Sequence, residues 1–281
     1  MKVFVTGASG YIGKATQSAL LRHGHVVEAL ARTDASANAV REAGATPVRG
    51  GLSDLDVLTA AAGRADAVIH LAQADSAEAD LAAATAMQEG AGEGVYVHTG
   101  GTWVYGDTDG IADEDAAWNP PPLVAWREDV EKEVLSRGRS VVIRPGLLYG
   151  RENRLIDAFF TRPGKEIGAI PHIGDGTNHW SLVHVDDLAE LYVVALTARA
   201  GAVYVGVGGV DPTALEIATA ISHGAGLDGR TISLSLDDAR ARMGPIADAF
   251  ALDQRFTPAR AREELGWTPR HTDPLADFAR S

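Results

Sequence analysis

The sequence predicts a doubly wound α/β fold, a parallel sheet covered by helices on both faces with a smaller C-terminal lobe, on three observations. Apolar runs at residues 3–6, 26–31, 67–72, 95–99 and 140–144 alternate with helical stretches near 12–23, 54–62, 78–89 and 124–137, the alternation that builds parallel sheets. The runs are apolar at successive positions, as strands covered on both faces must be. The first run leads straight into Gly7, Gly10 and Gly13 and then the amphipathic stretch Ile12, Ala15, Thr16, Ala19, Leu20, which reads as strand, tight turn and helix.

Each glycine has a separate task. Gly7 permits the turn off the strand, Gly10 lets a phosphate approach bare backbone, and Gly13 lets the helix pack close to the sheet. The helix N-terminus offers unpaired N–H groups and a partial positive charge, so an anion binds there without a lysine. The crevice is therefore expected to seat the pyrophosphate of a dinucleotide in a Rossmann sheet spanning residues 1–150 and completed by about 180–205. A P-loop is excluded because Ala15 stands where its Ser or Thr is required. Beyond Gly150, glycine and proline punctuate residues 163–176, and a helix is expected at about 186–198 with a strand around 203–207. Residues 151–281 are read mainly as a substrate-binding lobe. Asp211-Pro212-Thr213 is expected to open another helix with Asp211 as N-cap.

Composition narrows the partners. At 281 residues, 46% hydrophobic and 22% charged, the chain has the make-up of a globular protein with one large core or a core plus a smaller lobe. A formal charge of −13 opposes nucleic acid and anionic membrane surfaces, and the 25 basic residues form no dense run. No apolar stretch approaches the roughly 18 residues needed to span a bilayer, and the N-terminus enters a strand rather than a signal sequence. A cytoplasmic protein acting on a small-molecule substrate is expected. The absence of cysteine excludes disulfides, thiolate metal sites and a cysteine nucleophile.

The blocks TGASGYIG (6–13), DAVIHLA (66–72), TGGTWVYG (99–106), RPGLLYG (144–150), HVDDLA (184–189) and AREELGWTP (261–269) together resemble the short-chain dehydrogenase/reductase superfamily, in its extended and atypical branch of epimerase/dehydratase type. The resemblance covers nearly the whole chain. It implies that Gly7, Ser9, Gly10, Tyr11, Ile12 and Gly13 cradle the pyrophosphate. It also implies that Leu52, Leu71 and Ala72 run beside the adenosine, and that Thr99, Pro145 and Leu148 border the nicotinamide. A homodimer through the helices near 78–89 and 124–137 is a further implication.

The form of the cofactor is read at the end of the second strand, where NAD enzymes place a carboxylate on the ribose hydroxyls. Here the position is Ala31, followed by Arg32, Thr33 and Ser36, which suit a 2′-phosphate through charge-assisted hydrogen bonds. NADP(H) is expected over NAD(H). Glu28, three residues earlier, should lie away from the ribose by alternation along the strand.

Family enzymes use a Tyr with a Lys four residues later, and this chain lacks that pair. None of its six tyrosines is followed by Lys at the fourth position, and matching the helix at 130–135 puts Leu123 and Arg127 in the two slots. Arginine can hold a ribose or a substrate anion but cannot act as a neutral proton relay. The candidate catalytic residues are accordingly Thr102, Tyr105 and Tyr149, with Arg127 assisting electrostatically. Gly100-Gly101 is expected to leave room for substrate, Trp103, Trp118 or Trp126 to line an apolar pocket, and His179 and Trp180 to reach the substrate. Asp113, Glu114 and Asp115 read as a solvated loop. The cluster His172, Asn178, His179, His184 lacks a metal-binding pattern, so no metal is expected there, and His184 with Asp186 is read as a helix start.

These readings converge on an NADPH-dependent reductase of a small carbonyl or imine. A nucleotide-sugar epimerase or dehydratase and a non-catalytic NADP(H)-binding sensor or scaffold stand as alternatives.

Overall fold

The computed structural model of the protein describes residues 1–280. Seven strands, β1 (Lys2–Thr6), β2 (Val26–Ala31), β3 (Thr46–Arg49), β4 (Ala67–His70), β5 (Val95–Thr99), β6 (Arg139–Pro145) and β7 (Ala202–Gly206), form one sheet. It is parallel throughout, in the order β7-β6-β5-β4-β1-β2-β3. Helices α1 (Tyr11–Arg22), α2 (Asp34–Glu42), α3 (Leu55–Ala62), α4 (Ala77–Ala91), α5 (Arg127–Leu135) and α6 (Val185–Ala195) cover its faces. The strand order reverses between β1 and β4, which opens a crevice beyond their carboxyl ends.

The continuous apolar character of the strands divides between the two faces with a period of two. Val3, Val5, Ile69, Val97 and Ile143 face the core beneath α1 and α6. Phe4, Val68, Tyr96 and Val142, the residues between, face a second core beneath α3, α4 and α5. Burial of each large apolar side chain stabilises by about 1.5–3 kcal/mol, so the alternation holds both helical layers to the sheet. Strand β3 is not evident in the sequence because it is four residues long, contains Pro47 and is exposed or half-buried along its length. It occupies the sheet edge, where a missing N–H is tolerated.

A separate core in the C-terminal half gathers Ile156, Phe160, Ile170, Trp180, Ile217 and Phe278 around Phe250. The Phe250 ring centroid lies 4.9–5.9 Å from those of Trp103, Phe159, Phe160 and Trp180, the spacing of favourable aromatic pairs. Asp157–Thr161 is a single π-helical turn, which leaves Phe160 buried and Phe159 half-buried beside it. The helix expected after residue 211 runs Ala214–Gly224, but its N-cap is Thr213, whose hydroxyl accepts from the Glu216 N–H in a capping box. Asp211 instead accepts the Ser181 hydroxyl at 2.6 Å. Among the described residues no helix is long and apolar enough to cross a membrane.

The closest approach to backbone is at Gly13, where a Cβ would collide with the Gly7 carbonyl. Gly13→Ala is expected to destabilise the protein by about 1–3 kcal/mol through overpacking, read as a lowered midpoint in thermal unfolding.

Candidate active site

The crevice is built by backbone. Gly7 has φ +71°, and a Cβ there would stand 2.7 Å from the Ala72 nitrogen, so β1 turns hard against the end of β4. Gly10 is the N-cap of α1, no side chain caps the helix, and its first turn holds no acidic residue. The terminal N–H groups are thus left for an anion. Ser9 and Gly10 are exposed. Tyr11 donates its hydroxyl to the Gly150 carbonyl, tying this first turn to the loop that follows Leu147–Tyr149.

At the end of β2, Arg32 is exposed and pairs with no carboxylate among the described residues. A Cβ on Gly51 would lie 3.8 Å from its Cδ, so the arginine stem lies beside the loop after β3. Thr33 caps α2 and exchanges hydrogen bonds with Ser36 in a capping box. Both hydroxyls therefore sit at a helix N-terminus, already engaged with each other. Asp34 is held by Arg49 at 3.1 Å, and Glu28 faces away to Lys2 at 2.7 Å and Arg64 at 3.4 Å. Leu52 is half-buried against the core under α3.

Beyond the sheet lies a cleft of about 660 Å³ whose lining includes Tyr11, Ile12, Leu71, Ala72, Thr99, Thr102, Pro145 and Leu148. The apolar side chains of Trp103, Leu123, Trp126, Phe159, Met243 and Ile246 face it as well. Leu123 and Arg127, the two positions matched to the family pair, both line it. Arg127 Nη1 donates to the Thr99 carbonyl at 3.2 Å and its guanidinium lies 4.6 Å from the Trp126 ring centroid. The Thr99 hydroxyl is committed to the His70 carbonyl at 2.7 Å and to Tyr192 Oη at 2.8 Å. A Cβ on Gly101 would meet open space, whereas one on Gly100 would strike the Glu131 carboxylate. Gly101 thus leaves room in the cleft, and Gly100 is small to admit a buried charge.

Two candidate tyrosines do not reach this cleft. Tyr105 is 1% exposed, donates to the Glu114 carbonyl at 3.0 Å and accepts from Arg144. Burial, opposed by Arg144, pushes its phenol up to about 12. Tyr149 is buried with its hydroxyl on the His271 carbonyl at 2.7 Å, and burial raises its pKa. A strand end brings a residue near the crevice, but the side chain follows the pleat, and these two, expected as proton donors, enter the protein instead of the cleft. Tyr11 lines the cleft, yet burial raises its pKa and its hydroxyl is already given to Gly150.

Other expectations also change. His179 is paired with Asp253 at 2.8 Å, and Trp180 lies in the C-terminal core donating to the Phe250 carbonyl. Neither lines the cleft. Glu114 is 6% exposed, accepts the Val205 N–H at 2.8 Å and faces Arg260 at 3.4 Å, so that acidic run is not wholly a solvated loop. His184 does cap α6, accepting the Asp186 N–H.

Sequence reasoning missed a buried polar layer under the cleft. His70, Asp80 and His98 line it from β4, α4 and β5. Burial lowers the His98 pKa to about 3. For Asp80, burial pushes upward, but the His70 hydrogen bond and the nearby His98 and Arg127 outweigh it and the net shift is down. Alongside, Glu131 and Arg144 make an ion pair at 2.9 Å, with side chains 1% and 5% exposed, and burial raises the Glu131 pKa against the pull of Arg144. These groups lie far apart in sequence, so no local spacing signals them. The only hint was a histidine at the end of two neighbouring strand runs.

The fold and crevice agree with comparison to known proteins. The profile of the NAD dependent epimerase/dehydratase family matches residues 3–206. An uncharacterized protein of Saccharomyces cerevisiae is 33% identical over 99% of this chain and 98% of its own length. The dTDP-glucose 4,6-dehydratase of Streptomyces venezuelae, solved with NAD bound, superposes with TM-score 0.81 at 23% identity over 100% of this chain and 96% of that one. A human epimerase family protein solved with NADPH gives 0.78 at 21%, over 99% and 98%. With its glycine turn, parallel sheet and matched length, the chain belongs to the NAD dependent epimerase/dehydratase family, of the extended short-chain dehydrogenase/reductase type.

Proposed function

We propose that the protein is an NADPH-dependent reductase that transfers hydride to a small, largely apolar carbonyl or imine. The observation that carries this reading is the cleft itself, an apolar enclosure with Arg127 at its sheet side and no uncommitted phenol. A nicotinamide dinucleotide is the cofactor class consistent with the family and with the NAD and NADPH bound by its structural neighbours. Arg32, unpaired and exposed beside the end of β2, favours the 2′-phosphorylated form.

When bound, the reduced cofactor supplies the hydride. The free N–H groups of α1 would hold the pyrophosphate, Arg32 would hold the 2′-phosphate, and Leu71, Ala72, Pro145 and Leu148 would border the dinucleotide. Arg127 stabilises negative charge developing on a carbonyl oxygen of the substrate but cannot surrender a proton. The Thr102 hydroxyl, which lines the cleft, is assigned the relay of a solvent proton to a carbonyl oxygen, giving its own proton as it takes one from water. A protonated imine needs no such donor, which suits a site without the Tyr–Lys pair. A nucleotide sugar is the second reading, favoured by the exposed Arg154 at the cleft, which offers a cation to a diphosphate. The apolar lining weighs against it.

Three outcomes follow. Arg32→Ala is expected to weaken NADPH binding by roughly 10–100-fold, the worth of one or two hydrogen bonds to a charged group, and to leave NADH binding unchanged. Fluorescence titration reads both, and equal losses would remove the 2′-phosphate assignment. Arg127→Ala should lower kcat/KM for aldehydes and ketones by about 100-fold or more, as loss of a charge-stabilising donor does, measured as NADPH oxidation across an aldehyde, ketone and imine panel in which protonated imines, whose nitrogen loses positive charge on reduction, do not share the loss. Tight NADPH binding with no turnover on that panel would overturn the reductase. Tyr149→Phe should leave turnover unchanged and cost about 1 kcal/mol of stability for one lost hydrogen bond, read by thermal unfolding.

A further inference from the structure

Three side chains that no sequence spacing connects converge at the edge of the cleft. His70 Nε2 stands 3.3 Å from Asp80 Oδ1, and His98 Nε2 stands 3.6 Å from Asp80 Oδ2. One ligand atom of each residue lies within 4.8 Å of the other two. The residues are 1%, 4% and 1% exposed. A carboxylate hydrogen-bonded to imidazole would close to about 2.7–2.9 Å. These separations are longer, and Asp80 Oδ2 and His98 Nε2 have no hydrogen-bond partner among the described residues. A buried polar atom without a partner calls for an explanation. An ion bonded at about 2.0–2.2 Å in tetrahedral geometry sets its ligands about 3.3–3.6 Å apart; the two observed distances fall in that range, each to a different oxygen of the Asp80 carboxylate.

The outer nitrogens are braced. Thr6 Oγ1 lies 2.6 Å from His70 Nδ1, and Tyr96 Oη lies 3.1 Å from His98 Nδ1. In the tautomer with hydrogen on Nδ1, both hydroxyls accept from the rings and both Nε2 lone pairs face Asp80, the arrangement that orients metal-binding histidines; in the other tautomer His70 Nε2–H donates to Asp80 Oδ1. Arg127 gives its hydrogen bond to the Thr99 carbonyl, so it does not occupy the free carboxylate oxygen. A second trio, His184, Asp186 and His271, is also compact, but its groups are engaged. His184 Nδ1 accepts the Asp186 N–H, His271 pairs with Asp187 at 3.0 Å, and Asp186 pairs with Arg151 at 2.6 Å.

We propose that His70, Asp80 and His98 form a binding site for a divalent transition-metal ion of zinc type, with its fourth position open to the cleft. Two imidazoles and one carboxylate suit zinc, cobalt or iron(II) rather than magnesium or calcium. An ion there would polarise a carbonyl oxygen bound in the cleft, but the site stands on its own geometry and does not need the reductase reading.

The test uses the full chain, stripped with a chelator and dialysed, then titrated with Zn²⁺ by calorimetry and with Co²⁺ by visible absorption. One ion per chain is expected, with cobalt bands of a four-coordinate ion and a zinc-dependent rise in Tm. Asp80→Asn and His98→Gln should each weaken zinc by on the order of 100-fold, and Tyr96→Phe, which removes only the brace, by about 10-fold. His271→Gln should leave zinc binding unchanged. Circular dichroism establishes the fold of each variant, and the wild-type titrations with Tyr96→Phe decide the matter if a ligand variant fails to fold. Failure of the wild type to take up either ion, undiminished affinity in folded Asp80→Asn, or loss in His271→Gln instead would overturn the site.

Discussion

The contact between the Gly13 position of α1 and the Gly7 carbonyl at the end of β1 is the constraint on which the rest depends. No side chain fits between them, so the helix N-terminus is forced down onto the sheet beside the β4 end. That one approach aims the free N–H groups into the crevice. It also carries Tyr11 and Ile12 into the cleft and Tyr11's hydroxyl onto the Gly150 loop. The sheet fixes the floor of the site, and the helix fixes its charged end.

A layer of buried charge underlies the cleft. Arg144 is clasped by Glu131 and Tyr105 and lies 4.6 Å from the Trp118 ring centroid. A buried pair of this kind contributes little net stability, because desolvation offsets most of the Coulombic gain. Breaking it would leave a stranded charge, so it holds α5 against β6 in one register. That register presents Arg127 to the cleft, four residues before Glu131 on the same helix. Gly100 has no side chain because the Glu131 carboxylate occupies its space. Tyr105 therefore supports the site through Arg144 and the Glu114 carbonyl.

Much of the fold was legible because two-sided burial writes itself into sequence as unbroken apolar runs. Strands β1, β2, β4, β5 and β6 carry that mark, and the glycine turn names the crevice. Strand β3 carried no such mark, since an edge strand of four residues with a proline buries too little to show. Within the site, the glycine block reads from local spacing, and Leu71, Ala72 and Arg127, read through the family resemblance, line the cleft. Tyr105 and Tyr149 lie off the cleft because proximity to a strand end does not state which way a side chain points. His70, Asp80 and His98 leave only a histidine in each of two strand runs as a trace, being joined by the packing of α4 across β4 and β5. The Glu131–Arg144 pair is hidden for the same reason.

The claim at the centre is that the glycine bend seats a dinucleotide whose extra phosphate meets Arg32 and whose reactive ring enters the apolar cleft. A crystal structure of the protein with NADP⁺ tests it most directly. The account predicts pyrophosphate oxygens on the N–H groups at the start of α1, a 2′-phosphate oxygen within hydrogen-bond reach of the Arg32 guanidinium, and the nicotinamide between Thr99 and Pro145. An empty crevice at saturating NADP⁺, or a bound dinucleotide whose 2′-phosphate points into solvent away from Arg32, would contradict it.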